Sequence, residues 1–212
     1  MSDAKTLAIV GYGPGIGAAV ARRFAQAGYR VLGLSRRADG PAGAVELRQA
    51  DASDPSSLSA ALSGERVDAL VFNAYRMTPA AGPSDLTPED LMADMQVNLA
   101  GALASVRAVL PGMRTRGTGA ILFTGGGLAF DPTGWLAAAS LAAGKAALRN
   151  FAQALNAELA PQGIHAGTVT VAGMVQPGTP FDPDHIADAF WDLAQDQPGH
   201  FRADIVFKGK GV

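Results

Sequence analysis

Cysteine is absent from the 212 residues, which removes disulfides, thiolate nucleophiles and cysteine metal sites together. The three histidines, His165, His185 and His200, stand at no spacing expected of a metal centre. An excess of charge of either sign is missing too. Lys and Arg number 17 against 19 Asp and Glu, a net of -2, so nothing electrostatic argues for nucleic acid or an anionic membrane surface. No apolar run approaches the roughly 18 residues needed to span a bilayer. The start, Met1-Ser2-Asp3-Ala4-Lys5, runs straight into an apolar segment without a signal-peptide h-region. No Gly-x-Ser-x-Gly elbow points to a hydrolase. The default expectation is a cytoplasmic protein that binds neither nucleic acid nor membrane, with residues 1–212 forming one domain.

What is present is organised around Val10-Gly11-Tyr12-Gly13-Pro14-Gly15-Ile16-Gly17. The stretch follows an apolar run, Thr6 to Val10, and precedes a helical pattern from Ile16 to about Ala27. Strand, glycine turn and helix form the context in which a glycine cluster reads as a phosphate cradle. Residues without Cβ let a pyrophosphate approach the backbone, and the helix turns its free N–H groups and positive end toward it. The same glycines also serve simply to close a strand-to-helix connection. The common dinucleotide fingerprint would place glycines at 11, 13 and 16, but position 16 is Ile. Gly11, Gly15 and Gly17 instead give G-x3-G-x-G. That spacing resembles the short-chain dehydrogenase/reductase family.

The resemblance implies a Rossmann-type doubly wound sheet of about seven parallel strands with helices on both faces, and Gly11, Gly15, Ile16 and Gly17 as cofactor contacts. Arg30 to Ser35 reads as the second strand. At its end, about 20 positions past the glycine turn, dinucleotide folds place an acid on the adenosine ribose. Here stand Ser35, Arg36 and Arg37. A hydroxyl and two guanidinium forks suit a 2′-phosphate, which favours NADP(H) over NAD(H). Two solvated arginines on a loop, with Asp39 reaching the ribose, are the alternative. A third strand runs from Ala44 to Gln49, after a polar loop over Ala38 to Gly43. Asp54-Pro55 then opens a helix. By resemblance Asp51 meets the adenine amino group; otherwise it caps a turn.

Val67 to Phe72 is the fourth strand, followed by Asn73-Ala74-Tyr75 where the family usually has Asn-Ala-Gly beside the cofactor. Tyr75 either lines a pocket or plugs one. Thr87-Pro88-Glu89-Asp90 has capping-box spacing and starts a helix expected to run to about Met113. Within it Asn98 matches the family's active-site asparagine, which helps hold a proton-relay water, although an Asn inside an apolar helix needs partners in any case. The fifth strand, Ala120 to Thr124, ends in Gly125-Gly126-Gly127. Gly126 occupies the position of the substrate-orienting serine. Thr124 is the nearest hydroxyl.

The next helix is expected from about Leu136 to Ala160. Lys145 matches the lysine of the family's Tyr-x-x-x-Lys, which binds the nicotinamide ribose. Leu141 stands where the tyrosine belongs, and Ser140 is turned about 100° away. Both acid–base residues of the family are therefore replaced. Tyr75 is the main candidate for a substitute proton donor and Asp131 a second. A sixth strand, Ile164 to Val171, precedes Ala172-Gly173 and a segment near 174–182 that reads as a shortened substrate lid. A helix from Ile186 to Ala194 and a strand from Ala203 to Phe207 complete the pattern. The Ala/Gly-rich faces of residues 98–113 and 137–160 correspond to the family's dimer interface, so a homodimer or higher homo-oligomer is expected.

Two functions stand open. One is an NADP(H)-dependent oxidoreductase acting on a small carbonyl or alcohol, with Lys145, Asn98 and Tyr75 at its centre. The other is a catalytically silent NADP(H)-binding sensor or partner subunit. A relic that binds no nucleotide is a third.

Overall fold

The computed structural model describes residues 4–37 and 45–211. The loop over 38–43, with Asp39, and the beginning of the third strand at Ala44 lie outside the described residues.

Seven strands form one sheet: β1 (Thr6–Val10), β2 (Arg30–Ser35), β3 (Val45–Gln49), β4 (Ala69–Phe72), β5 (Gly119–Gly126), β6 (Ile164–Val171) and β7 (Asp204–Phe207). Their order is β3-β2-β1-β4-β5-β6-β7, and every neighbouring pair is parallel. The order reverses between β1 and β4. Ligands of open parallel sheets bind in the crevice at such a switch point, at the carboxyl ends of the strands.

Successive residues of a strand face opposite sides of the sheet, so each central strand supplies two cores. Leu7, Ile9, Val31, Val71 and Leu122 pack with Phe24 of α1 (Ile16–Gln26) and Phe190 of α6 (Pro183–Ala194). Ala8, Val10, Leu32, Phe72 and Phe123 pack with Leu58 of α2 (Pro55–Leu62), Val106 of α4 (Ala102–Arg116) and Leu148 of α5 (Ala139–Leu159). Burial on both faces is why these strands read as continuous apolar runs rather than alternating ones.

Several boundaries differ from the sequence expectation. The helix from Thr87 is not uniform: α3 (Pro88–Met95) passes into a π-helical turn, Gln96–Gly101, before α4. α4 continues to Arg116 because Gly117 supplies the left-handed stop at φ 64°. α5 starts at Ala139 rather than Leu136. Asp131 caps a tight 3-10 stretch, Pro132–Ala138, and Trp135 breaks its helical path at φ −155°, ψ 83°. β5 extends two residues past Thr124, through Gly125 and Gly126, because both remain paired with β6. Among the described residues no helix is long and apolar enough to cross a membrane.

Candidate active site

The glycine turn is locked from beneath. Gly11 sits at φ +83°, and a Cβ there would lie 2.3 Å from the Ala74 nitrogen, so only glycine lets the turn rest against the end of β4. The amides of Gly11 and Tyr12 both donate to the Leu34 carbonyl at 2.9 Å. Asn73 closes the switch point: its amide donates to the Val10 carbonyl at 2.8 Å, and its side-chain Nδ2 donates to the Gly11 carbonyl at 3.0 Å. Ala74 is the wall against which Gly11 lies.

The opposite side of the turn is open. A Cβ on Gly13 or Gly15 would meet nothing within 4 Å. α1 begins at Ile16 and Gly17 with no side-chain cap and no acid in its first turn. Its first free amides therefore face an environment prepared for an anion. This cradle borders an open cleft of about 2040 Å³ that also reaches Ser35, Arg36, Arg37, Asp51 and Tyr75.

At the far end of the cleft Arg36 and Arg37 are exposed. The Ser35 hydroxyl donates to the Arg37 carbonyl and closes a local turn. Asp51 accepts from the amide and the hydroxyl of Ser53 at 2.8 and 2.7 Å. Those bonds hold its carboxyl below the usual range, with a further contribution from the Arg36 charge. It thus caps a turn and also faces Arg36 across a side pocket of about 290 Å³. An open anion cradle, two cations and a polar side pocket fit a dinucleotide.

At the other end, Lys145 Nζ donates to the Thr124 carbonyl at 2.6 Å and lies 6.0 Å from the Tyr75 ring centroid. Burial pushes the ammonium down to about 8. Tyr75 is 64% exposed and lines the cleft; it does not plug it. Gly126 faces Lys145, 3.5 Å from its Cγ as measured from an added Cβ. Leu141 lies one turn before Lys145 on α5, without a proton to exchange.

The other sequence candidates are occupied elsewhere. Thr124 cannot replace the missing serine, because its buried hydroxyl donates to Asn73 Oδ1 at 2.9 Å beneath the glycine turn. Asp131 accepts from the amide and hydroxyl of Thr133, which hold its carboxyl low and ionised, the wrong form for a proton donor. Asn98 is buried in the π turn. Its Oδ1 accepts from the Arg76 amide at 2.8 Å and its Nδ2 donates to the Arg76 carbonyl at 2.9 Å. The side chain is spent on that main chain, so any water held there depends on the backbone of Asn98. α5 can approach this residue only because Gly144 has no Cβ, which would lie 2.8 Å from Asn98 Nδ2.

Two residues escaped the sequence reading. Asp94, one helical turn before Asn98, is wholly buried. It accepts from the Thr78 amide, the Thr78 hydroxyl and the Ser140 hydroxyl at 2.6, 3.0 and 2.6 Å. Arg76 pairs with it at 3.4 Å and lines the cleft beside Tyr75. The i, i+4 spacing of Asp94 and Asn98 inside an apolar helix was the available signal.

The segment between β6 and α6 folds on itself. Gln176 donates its amide to the Phe181 carbonyl, and Asp182 accepts from Gly178 while capping α6. Met174 and Val175 are left exposed, 78% and 38%, and Val175 borders the cleft.

Comparison with known proteins agrees with this geometry. The family model described as short chain dehydrogenase matches residues 5–182. An uncharacterized short-chain type dehydrogenase/reductase of Sinorhizobium fredii is 36% identical over 159 residues, 71% of this chain and 62% of that protein; the chain thus spans less than two thirds of this relative. The crystal structure of an oxidoreductase of the short-chain dehydrogenase/reductase family from Burkholderia thailandensis superposes with a TM-score of 0.80 at 32% identity, covering 92% of this chain and 87% of that one. A metagenomic short-chain oxidoreductase solved in complex with NADP shares the fold, with a TM-score of 0.87 at 23% identity over 97% of both chains. Sheet order, glycine turn and family model converge: the chain belongs to the short-chain dehydrogenase/reductase family of oxidoreductases.

Proposed function

We propose that this protein is an NADP(H)-dependent oxidoreductase of a small carbonyl or alcohol, working with a non-standard proton donor. The observation that carries this reading is the position of Lys145, desolvated on the Thr124 carbonyl and 6.0 Å from the Tyr75 ring, at the end of an open dinucleotide cleft. When bound, the cofactor would supply or accept the hydride at the substrate carbon. The chain supplies the rest. Amides at Gly15, Ile16 and Gly17 hold the pyrophosphate, Arg36 and Arg37 grip the 2′-phosphate, and Asp51 meets the adenine. Asn73 and Ala74 form the wall of the cofactor site. Lys145, now on the Thr124 carbonyl, would hold the nicotinamide ribose. The Tyr75 hydroxyl gives the carbonyl oxygen its proton and regains one from water, to which it is open. Asn98 keeps the adjoining segment in place. The short 174–182 segment acts as an abbreviated lid, and residues 1–212 act as one domain. The exposed Leu103 on α4 and the small residues of α4 and α5 favour a homodimer, which sedimentation would test.

A second reading rests on a specific observation. Neither Gly126 nor Leu141 carries an exchangeable proton, and the hydroxyls closest to them in sequence, of Thr124 and Ser140, are bonded into the core. Such a protein would bind NADP(H) and catalyse nothing. Calorimetric titration with NADPH and then NADH comes first. Binding of NADPH at micromolar concentration, followed by NADPH oxidation with an aldehyde or ketone that Lys145→Ala abolishes and Tyr75→Phe slows at least tenfold, supports the enzyme. NADPH binding without turnover of any carbonyl supports the silent reading, and absence of binding overturns both.

A further inference from the structure

We propose that Arg76 is the anion-recognising residue of a substrate subsite, and that the ligand taken there carries a carboxylate or phosphate on an apolar body. The inference deepens the oxidoreductase reading and, for the word substrate, rests on it.

The main chain of Arg76 cannot wander. Asn98 bonds both its amide and its carbonyl, at 2.8 and 2.9 Å. Two residues on, Asp94 bonds the amide of Thr78 at 2.6 Å and its hydroxyl at 3.0 Å. Asp94 and Asn98 lie one turn apart on the same helical face, so the pair clamps residues 76–78 to the π turn. The side chain is held as well. Arg76 Nε lies 3.4 Å from Asp94 Oδ1, with Asp94 wholly buried and the guanidinium side chain 45% exposed. Ser140 fixes the other Asp94 oxygen from α5 at 2.6 Å.

This arrangement differs from an ordinary surface pair, in which two mobile side chains share water. A buried carboxylate is costly unless it is both charge-paired and hydrogen-bonded. Here three hydrogen bonds immobilise it, and among the described residues Arg76 is its only cationic partner. The result is a guanidinium charge-paired through its Nε edge. Among the described residues its Nη atoms take no hydrogen-bond partner. A planar fork held from behind and open in front suits a carboxylate or phosphate bound by two parallel hydrogen bonds.

The location gives the class of ligand. Arg76 directly follows Tyr75, and both line the cleft with Val97 and Val175. Tyr75 is the residue beside Lys145, so an anion on Arg76 leaves the rest of its molecule against Tyr75 and Val175. Those side chains, with the adjoining exposed Met174, offer apolar surface and no second charge.

The test uses the full chain loaded with NADPH. Calorimetry and thermal shift are measured with 2-oxo-2-phenylacetate, its uncharged methyl ester, and phenyl phosphate. The expected result is saturable binding and stabilisation by the two anions, at least tenfold weaker binding of the ester, and sensitivity of the anions to added salt. The ratio of the two anions identifies carboxylate or phosphate as the preferred head group. Arg76→Met should weaken the anions tenfold or more while leaving NADPH affinity within twofold. Because that change leaves Asp94 without its cation, Arg76→Lys serves as the folded control. It keeps the charge, loses the fork, and should weaken the anions severalfold. Equal binding of acid and ester, or anion affinity within twofold of wild type in both variants, overturns the proposal. So does competition between the anions and NADPH, which would assign Arg76 to the dinucleotide. Arg76-dependent anion binding in a chain that never binds NADPH would sink the oxidoreductase reading and leave this subsite standing.

Discussion

A Cβ placed on Gly126 would stand 3.5 Å from Cγ of Lys145, an ordinary van der Waals approach. Gly126 itself is extended, at φ −153° and ψ 149°, a conformation any residue adopts. Serine therefore fits at this position without strain, and its hydroxyl would project beside the lysine. Leu141 precedes Lys145 by one helical turn, so a tyrosine there would share its face. The double variant Gly126→Ser, Leu141→Tyr is expected to raise NADPH-dependent reduction of carbonyl compounds by about 10²-fold or more, the usual contribution of a placed general acid. The rate of NADPH consumption at saturating carbonyl checks this. An unchanged rate would mean that the space above Lys145 does not admit a substrate.

Lys145 costs the fold stability at neutral pH. Its folded pKa is about 8 against an ordinary 10.5, so the native state disfavours the ammonium. The penalty is fully present below pH 8 and is relieved as pH rises toward 10.5, because the unfolded chain holds the proton longer. Lys145→Met removes the penalty but strands the Thr124 carbonyl, a loss of about 1 kcal/mol. A net gain of about 1–2 kcal/mol is expected at pH 7, falling toward zero or below by pH 10. Urea unfolding of both proteins at the two pH values measures it. A stability difference independent of pH would contradict the desolvated lysine.

The sheet and the glycine turn were legible because their signals are local. Five buried strand residues, a glycine at φ +83° and an uncapped helix start lie within one short stretch of sequence. That Ser35, Arg36, Arg37 and Asp51 border one cleft with the turn was legible for the same reason. The polar network was not. Ser140 meets Asp94 across 46 residues and Thr124 meets Asn73 across 51, and no spacing within one helix shows which loop crosses it. Thr124 stood out as the nearest hydroxyl and Asn98 as an amide in need of partners, but those partners come from other elements.

The Asp94 network should be cooperative. Asp94→Ala leaves the Thr78 amide, two hydroxyls and Arg76 without their acceptor, and a cost of about 3 kcal/mol is expected. Ser140→Ala alone should cost about 1 kcal/mol. The double variant should cost less than the sum by about 1 kcal/mol, since Ser140 loses nothing further once its acceptor is gone. Denaturant titrations of the four proteins close the cycle. Strict additivity would show that the 2.6 Å contact contributes nothing.

Cofactor choice is expected to turn on Arg36. It borders both the main cleft and the side pocket holding Asp51, whereas the Ser35 hydroxyl is engaged by the Arg37 carbonyl. Among the described residues no carboxylate stands at the end of β2, and a guanidinium, which only donates, cannot accept from a ribose hydroxyl. A 2′-phosphate offers it a charge-assisted fork contact of about 1.5–3 kcal/mol. Arg36→Ala should therefore weaken NADPH by roughly 10- to 100-fold and NADH by less than about threefold, and added salt should shrink the difference. Calorimetric titration with each dinucleotide separates the cases. Equal losses for both would move Arg36 from the 2′-phosphate to the shared pyrophosphate and remove the physical basis for preferring NADP(H).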